Sequence, residues 1–390
     1  MFRLHFLPVG YRRPDCLLKK LVALPSVNPR CIRQRDDLTG ETRVAAFLCA
    51  LAAENGIASR RIETVAGRPT VIWELPANGG NPEAPLLACF AHIDTVWVPE
   101  MPEPFRVRLE DDGFYHGLGV TDDKGSLTAA LLAALELKKR GGAPCRFAVA
   151  CTSDVESGFI GAESILTEHL NPDAAIVMEG TSLDVVTAHK GTVRWRVATR
   201  GVSVHSSLVP AGENAIYKAA RAVLALEKLS EELIARPQHR ILKFPTLSVG
   251  TINGGTQANS VPDFCELLID RRLLPHETPE QAKAEVCAAL DGVVDYEISE
   301  RIMYSAPFEI DGNAPFVRLV VDEARKLKPD AAIRGLYCST EAGNTGGFRI
   351  PSVVFGPGDV ACAHSVRERI DLAEIDKAVR ILVNTAENFR

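Results

Sequence analysis

A chain of 390 residues with 46% hydrophobic and 24% charged residues has the composition of a folded protein of two or three domains, and not of a disordered one. Its formal net charge of −6 gives no general attraction to nucleic acid or to an anionic membrane, and basic runs such as Lys138–Lys139–Arg140 read as solvated surface. No apolar stretch reaches transmembrane length, so neither nucleic acid nor membrane is expected as a partner.

The opening MFRLHFLPVGYRRP has its longest apolar run at Phe6–Val9, short of the core of a secretion signal, and reads as an extension preceding the domain proper. Helical periodicity follows at 16–24 and at 41–55, where Val44, Leu48, Leu51 and Ala52 form an apolar face. Strands are expected at 59–64, 70–75 and, after the turn Gly79–Gly80–Asn81–Pro82, at 85–91. Then come a helix at 127–137, a buried strand at 145–150, a helix at 161–170 and a buried strand at 174–178. Apolar strands alternating with helices imply an α/β sheet covered on both faces.

At Gly191 the texture changes. Strand 192–199, helix 213–235, strands 247–253 and 261–271, a helix over 279–290 capped by Thr278 with Pro279 at its first position, and strand 293–298 make a β-α-β-β-α-β order. That is the split βαβ sandwich. Helix 314–328, strand 352–355 and helix 372–388 restore the first texture. The expected organisation is a discontinuous catalytic domain, 1–190 with 301–390, and an inserted dimerisation or lid domain over 191–300. Ten cysteines, at 16, 31, 49, 89, 145, 151, 265, 287, 338 and 362, form no CxxC pair or ribbon cluster. Reduced thiols and a cytoplasmic location are therefore expected.

Five segments place metal-binding side chain types beside strand ends or turns. In AHIDT, His92 leaves an apolar strand and Asp94 lies two residues on; by itself this pair is a weak signal, and a satisfied structural histidine is the favoured reading of these residues alone. In TDDKG, a helix cap explains one aspartate but not the pair; Asp122 has the chemistry to bridge two metals. Glu156 follows the strand at 145–150, Glu179 follows the strand at 174–178, and His364 follows Gly356–Pro357–Gly358. Open α/β sheets gather ligands beyond the carboxyl ends of their strands.

As a set, these motifs resemble the zinc metallopeptidase and aminoacylase family that includes acetylornithine deacetylase, acetylcitrulline deacetylase and succinyl-diaminopimelate desuccinylase, over about residues 16–388. The resemblance implies an α/β fold, a zinc-peptidase-like mixed-sheet catalytic domain with an inserted ferredoxin-like domain. It implies two Zn²⁺ per chain, with Co²⁺ or Mn²⁺ as alternatives, held by His92, Asp122, Glu156, Glu179 and His364, with Asp94 supporting His92. GVSVHSS resembles the family segment whose histidine, here His205, crosses a dimer interface to the reacting carbonyl. NSVP and DRR resemble the segments that set an asparagine and an arginine against substrate, here Asn259 and Arg272; a turn cap and a solvated arginine are the structural alternatives. Glu341, in STEA, resembles a binding-loop residue. The implied partners are a small N-acylated amino acid or dipeptide and a second copy of the chain as a homodimer.

One position departs from the pattern. The family's general base occupies the first glutamate of DEExG, and here that residue is Val155, between Asp154 and Glu156. Valine has no proton-accepting atom, and such assistance is commonly worth roughly 10²–10⁴-fold. Shifting the motif by one residue would make Asp154 the base, but would disturb Glu156 and the following Ser157–Gly158. Two readings stay open: a metal-dependent deacylase acting on an N-acyl amino acid with reduced activity, and a non-hydrolytic or impaired homologue that binds such a compound or uses different metal chemistry.

Overall fold

The computed structural model describes residues 13–32, 37–236 and 239–390; the first twelve residues of the expected N-terminal extension lie outside these. In chain order the elements are α1 (Pro14–Val22), α2 (Thr42–Glu54), β1 (Ala58–Val65), β2 (Arg68–Leu75), β3 (Leu86–His92), β4 (Arg108–Leu109), β5 (Tyr115–His116), α3 (Lys124–Arg140), β6 (Arg146–Thr152), α4 (Ile160–Glu168), β7 (Ala174–Val177) and β8 (Val185–His189). Next come β9 (Gly191–Arg200), α5 (Ala215–Ala235), β10 (Thr246–Gly254), β11 (Phe264–Leu273), α6 (Pro279–Leu290), β12 (Glu297–Ile298), β13 (Met303–Ser305) and β14 (Phe308–Glu309). The chain closes with α7 (Pro315–Arg325), β15 (Ile333–Leu336), α8 (Ala342–Gly347), β16 (Ser352–Val354), β17 (Arg369–Ile370) and α9 (Leu372–Asn388). Two compact units result. One runs to Thr187 and takes in Ile310–Arg334 and Thr340–Arg390; the other is Ala188–Glu309 with Gly335–Ser339.

The first unit carries a mixed sheet in the order β1-β2-β6-β3-β7-β16-β8. Its middle strands β6, β3, β7 and β16 run parallel to one another, and the pairs outside them are antiparallel. Val71, Trp73, Cys89, Ala91, Val149 and Cys151 join α1, α2, α3, α7 and α9 in one apolar core. The intervening Ile72, Phe90 and Ala150 are equally buried. β3 is therefore buried at every position, the condition of a strand inside a parallel sheet. α3 ends where Gly141 adopts a left-handed φ of 88°, behind Lys138, Lys139 and Arg140 in its last turn.

The second unit has the antiparallel order β10-β11-β9-β12, the ferredoxin-like arrangement. Val193, Trp195 and Val197 of β9 alternate into a core shared with α5 and α6. The expected cap of α6 is a full capping box: Thr278 accepts from the Gln281 amide and Gln281 returns a bond to the Thr278 amide. Two strands are shorter than expected. β11 begins at Phe264 rather than near Val261, because Val261 donates its amide to the Val204 carbonyl and Pro262 has no amide to give. β12 is reduced to Glu297–Ile298, because the amides of Val293 and Val294 both turn back to the Leu290 carbonyl around a left-handed Gly292. Among the described residues no cysteine forms a disulfide, and no helix is long and apolar enough to cross a membrane.

His189, at the end of β8, is fully buried beside Phe308, with its Nδ1 3.0 Å from the Lys190 carbonyl oxygen and its Nε2 without a partner. Burial pushes its pKa from 6.5 down to about 4. A depressed histidine is neutral in the fold while the unfolded chain takes up a proton, so stability is lost as pH falls from 6.5 to about 4. The loss from this one group is about 3 kcal/mol. Urea unfolding followed across that range should show His189→Gln with a correspondingly flatter pH dependence than the parent; equal slopes would mean that His189 takes up its proton in the folded state.

Candidate metal centre

The parallel strands determine where the acidic and imidazole groups go. His92 is the last residue of β3, Glu156 lies four residues beyond β6, Glu179 two beyond β7, and His364 follows β16 through a longer loop. All leave the sheet at its carboxyl edge. Asp122 comes from the turn before α3, a tight one: Gly119 has a φ of 80°, and a Cβ there would lie 2.8 Å from Thr95 Cγ2. The Asp122–Asp123 peptide is cis.

Asp122 faces two histidines, one with each oxygen. Its Oδ1 is 2.8 Å from His92 Nε2 and its Oδ2 is 3.0 Å from His364 Nε2, which is also 3.2 Å from Glu156 Oε2. His92, Asp122 and Glu179 form one group of potential ligand atoms mutually within 4.8 Å, and Asp122, Glu156 and His364 form another. The five residues singled out as metal ligands thus come together as two triads with Asp122 in common.

Among the described residues no lysine or arginine bonds to these carboxylates, and the basic partners they have are the two imidazoles. Burial, reinforced by the Asp122 carboxylate, pushes Glu179 well above the usual carboxylate range and raises Glu156. Burial also opposes ionisation of Asp122, but hydrogen bonds from His364 and His92 outweigh it and hold that carboxyl low. Hydrogen bonds to Asp122 and Glu156 raise His364 to about 11. For His92, burial pulls down, yet bonds to Asp122 and Asp94 hold it well above its ordinary value. Glu156 Oε1 is buried without any partner. Two imidazole nitrogens, three clustered carboxylates and an unpartnered buried oxygen fit a pair of divalent cations, which would supply the positive charge now carried by protons.

Asp94 works mainly on the neighbouring loop. His92 Nδ1 is 2.9 Å from the Asp94 carbonyl and 3.5 Å from its carboxylate, so the backbone orients the ring and leaves Nε2 to face Asp122. The Asp94 carboxylate accepts from the amides of Val155 and Glu156, both at 3.2 Å, and from Asn28 Nδ2 at 2.8 Å. The backbone at 155 is therefore anchored independently of its side chain. Val155 is buried. Asp154 is turned another way: its Oδ1 takes Asn28 Nδ2 at 3.1 Å and Arg68 at 3.0 Å, and Arg68 also grips the buried Glu41 through both carboxylate oxygens. Asn28, Glu41 and Arg68 carried no local sequence signal, because what joins them is contact between distant segments.

Glu368, four residues after His364, was likewise missed. It is fully buried and accepts three backbone amides of the Asp122 turn: Gly119 at 3.0 Å on Oε2, and Thr121 and Asp122 at 3.0 and 3.1 Å on Oε1. Burial and the charge of Asp122 push it up to about 8, against the pull of those donors.

Glu341 is also buried in the first unit, with Oε1 unpartnered, and burial raises it to about 7. His205, Asn259 and Arg272 belong to the second unit. His205 is exposed, with Nδ1 2.8 Å from Ser207 Oγ, and the amide beyond it, Ser206, bonds to the Asn259 carbonyl at 2.9 Å. Arg272 donates to Asp270 and to Thr192 Oγ1, each at 2.8 Å. Its neighbour Arg271 points to the opposite face, fully buried and paired with Glu277 and Glu285.

A mixed sheet delivering histidines and carboxylates from its parallel strands, joined in sequence to a ferredoxin-like unit, is a zinc-peptidase-like fold. Residues 88–388 match peptidase family M20/M25/M40, and the chain belongs to that family. It is 31% identical over 332 residues to the acetylornithine deacetylase of Proteus mirabilis (strain HI4320), covering 81% of this chain and 82% of that protein. It is 30% identical over 407 aligned positions to the succinyl-diaminopimelate desuccinylase of Bordetella petrii, covering 96% and 97%. Among solved structures it resembles an M20 family metallo-carboxypeptidase from Sulfolobus solfataricus with a TM-score of 0.80 at 18% identity, covering 96% of this chain and 99% of that one; that likeness concerns the fold.

Proposed function

We propose that the chain is a deacylase-type protein that holds two Zn²⁺ ions and accepts a small N-acylated amino acid, cleaving its amide slowly for want of a general base at Val155. The observation that carries this reading is the pair of triads sharing Asp122. His92, Asp122 and Glu179 would hold one ion, and Asp122, Glu156 and His364 the other. Bound metal of this kind lowers the pKa of water and polarises an amide carbonyl. Asp94 keeps the His92 ring and the loop carrying Glu156 in place. Arg272 offers a guanidinium suited to a carboxylate of the substrate, Asn259 and Glu341 are further substrate contacts, and His205 from a second copy in a homodimer supports the oxyanion.

Val155 is the step at which this protein differs from a fully equipped hydrolase. Its methyl groups can neither take a proton from water nor return one to the leaving nitrogen. Asp154 is directed to Asn28 and Arg68 through Oδ1, while its Oδ2 is buried without a partner. The same observation favours, as the second reading, a homologue that binds an acyl-amino acid without turning it over.

Metal titration tests the ligand assignment. Asp122→Asn should weaken binding of both Zn²⁺ ions, whereas Glu156→Gln should weaken one and spare the other, each by more than the roughly 100-fold that loss of an outer partner costs. Calorimetry giving no specific Zn²⁺ binding by the parent would remove the assignment altogether.

Restoring the base tests the rest. Because the amides at 155 and 156 are anchored by Asp94 and not by the side chain, Val155→Glu should keep both ions and gain roughly 10²–10⁴-fold in hydrolysis of N-acetylornithine, N-acetylcitrulline or N-succinyl-diaminopimelate. A parent that cleaves one of these at ordinary enzyme rates, and loses that activity as Val155→Glu, would show that valine belongs to a working mechanism of its own. The homodimer is checked by light scattering at micromolar concentration, where a stable monomer would contradict it.

A further inference from the structure

We propose that Glu368 is a positioning residue that sets the affinity of the metal pair by fixing the direction of Asp122, an inference that rests on the metal-binding reading above. Asp122 has to present one oxygen to each triad at once, 2.8 Å from His92 Nε2 and 3.0 Å from His364 Nε2. Its side chain is short, so the direction of the carboxylate follows from the placement of its own backbone. That backbone belongs to a glycine-containing turn, and turns of this kind are held by the bonds made to their amides.

Glu368 supplies those bonds from a distant part of the chain. Its two oxygens accept the amides of Gly119, Thr121 and Asp122 itself. The next residue completes the clasp, since the Arg369 carbonyl accepts the Thr121 hydroxyl at 2.7 Å. His364 stands four residues earlier on the same segment. One stretch of chain therefore carries the His364 imidazole and also grips the turn that carries the shared carboxylate, so the spacing between the two triads is set from a single anchor. Three amides aimed at two oxygens require acceptors at both oxygens, which a carboxylate provides and a carboxamide does not.

Glu368→Gln preserves size but turns an NH₂ group toward at least one of the three amides. Metal-depleted protein is titrated with Zn²⁺ by calorimetry, and the melting of the metal-free form is recorded beside it. Glu323→Gln is the control, because Glu323 is also buried but lies on α7, paired with Lys326 and Asn388. The expected result is a loss of roughly 10–100-fold in Zn²⁺ affinity for Glu368→Gln, and parental affinity for Glu323→Gln even if its melting temperature falls as far. Parental affinity in Glu368→Gln would overturn the proposal and leave Glu368 a purely structural cap, with the two-ion reading intact. If Glu368→Gln does not fold, Glu368→Asp decides: its shorter reach should weaken Zn²⁺ binding in the same direction, and unchanged affinity overturns the proposal. A parent that binds no Zn²⁺ overturns both this inference and the reading beneath it.

Discussion

Like charges cannot share a dry pocket without compensation, and the carboxyl edge of the first sheet is organised around that constraint. Asp122, Glu156 and Glu179 meet there with no lysine or arginine among the described residues bonded to them, so their ionisation states are tied to the two imidazoles. Burying even a paired charge is costly, and a buried charge left alone costs more. The surrounding structure meets this with fixed dipoles. Backbone amides of Val155 and Glu156 point at Asp94, and those of Gly119, Thr121 and Asp122 point at Glu368. Below them Arg68 offsets Glu41 and Asp154 together. The site thus sits on a layer of neutralised or amide-bound carboxylates, whose function is to keep the loops at the strand ends still.

Much of this could be read in the sequence where local pattern and strand position coincide. His92, Glu156 and Glu179 follow apolar runs long enough to be buried strands, and parallel packing sends the ends of such strands to one edge. The β-α-β-β-α-β order of the second unit was legible from the succession of its strand and helix patterns, with Thr278 and Pro279 marking one helix start; the part of Gln281 in that cap was not. What escaped were elements without periodicity. α8 is built from Ala342-Gly343-Asn344-Thr345-Gly346-Gly347, a poor helix by propensity that forms where tertiary contacts hold it. β4, β5 and β17 make a three-stranded patch from two-residue strands, too short for any alternation to show. Glu368 and the Asn28–Asp154–Arg68–Glu41 cluster escaped because only folding brings their partners together.

The loop after β6 shows how two adjacent acidic residues can be assigned opposite tasks by backbone conformation. Asp154 has a left-handed φ of 64°, which turns its carboxylate down toward Asn28 and Arg68. Glu156 points instead toward His364. The residue between them is left with an anchored amide and a side chain that bonds to nothing polar.

That separation of backbone anchor from side chain has an evolutionary meaning. Where a catalytic group also holds its loop together, losing it costs stability, and the loss is purged or demands compensation elsewhere. At position 155 the Asp94 carboxylate secures the main chain through the amides of Val155 and Glu156, with no part taken by the valine side chain. A change of side chain there leaves those two main-chain bonds in place, so the path of the loop and the group it carries can vary independently.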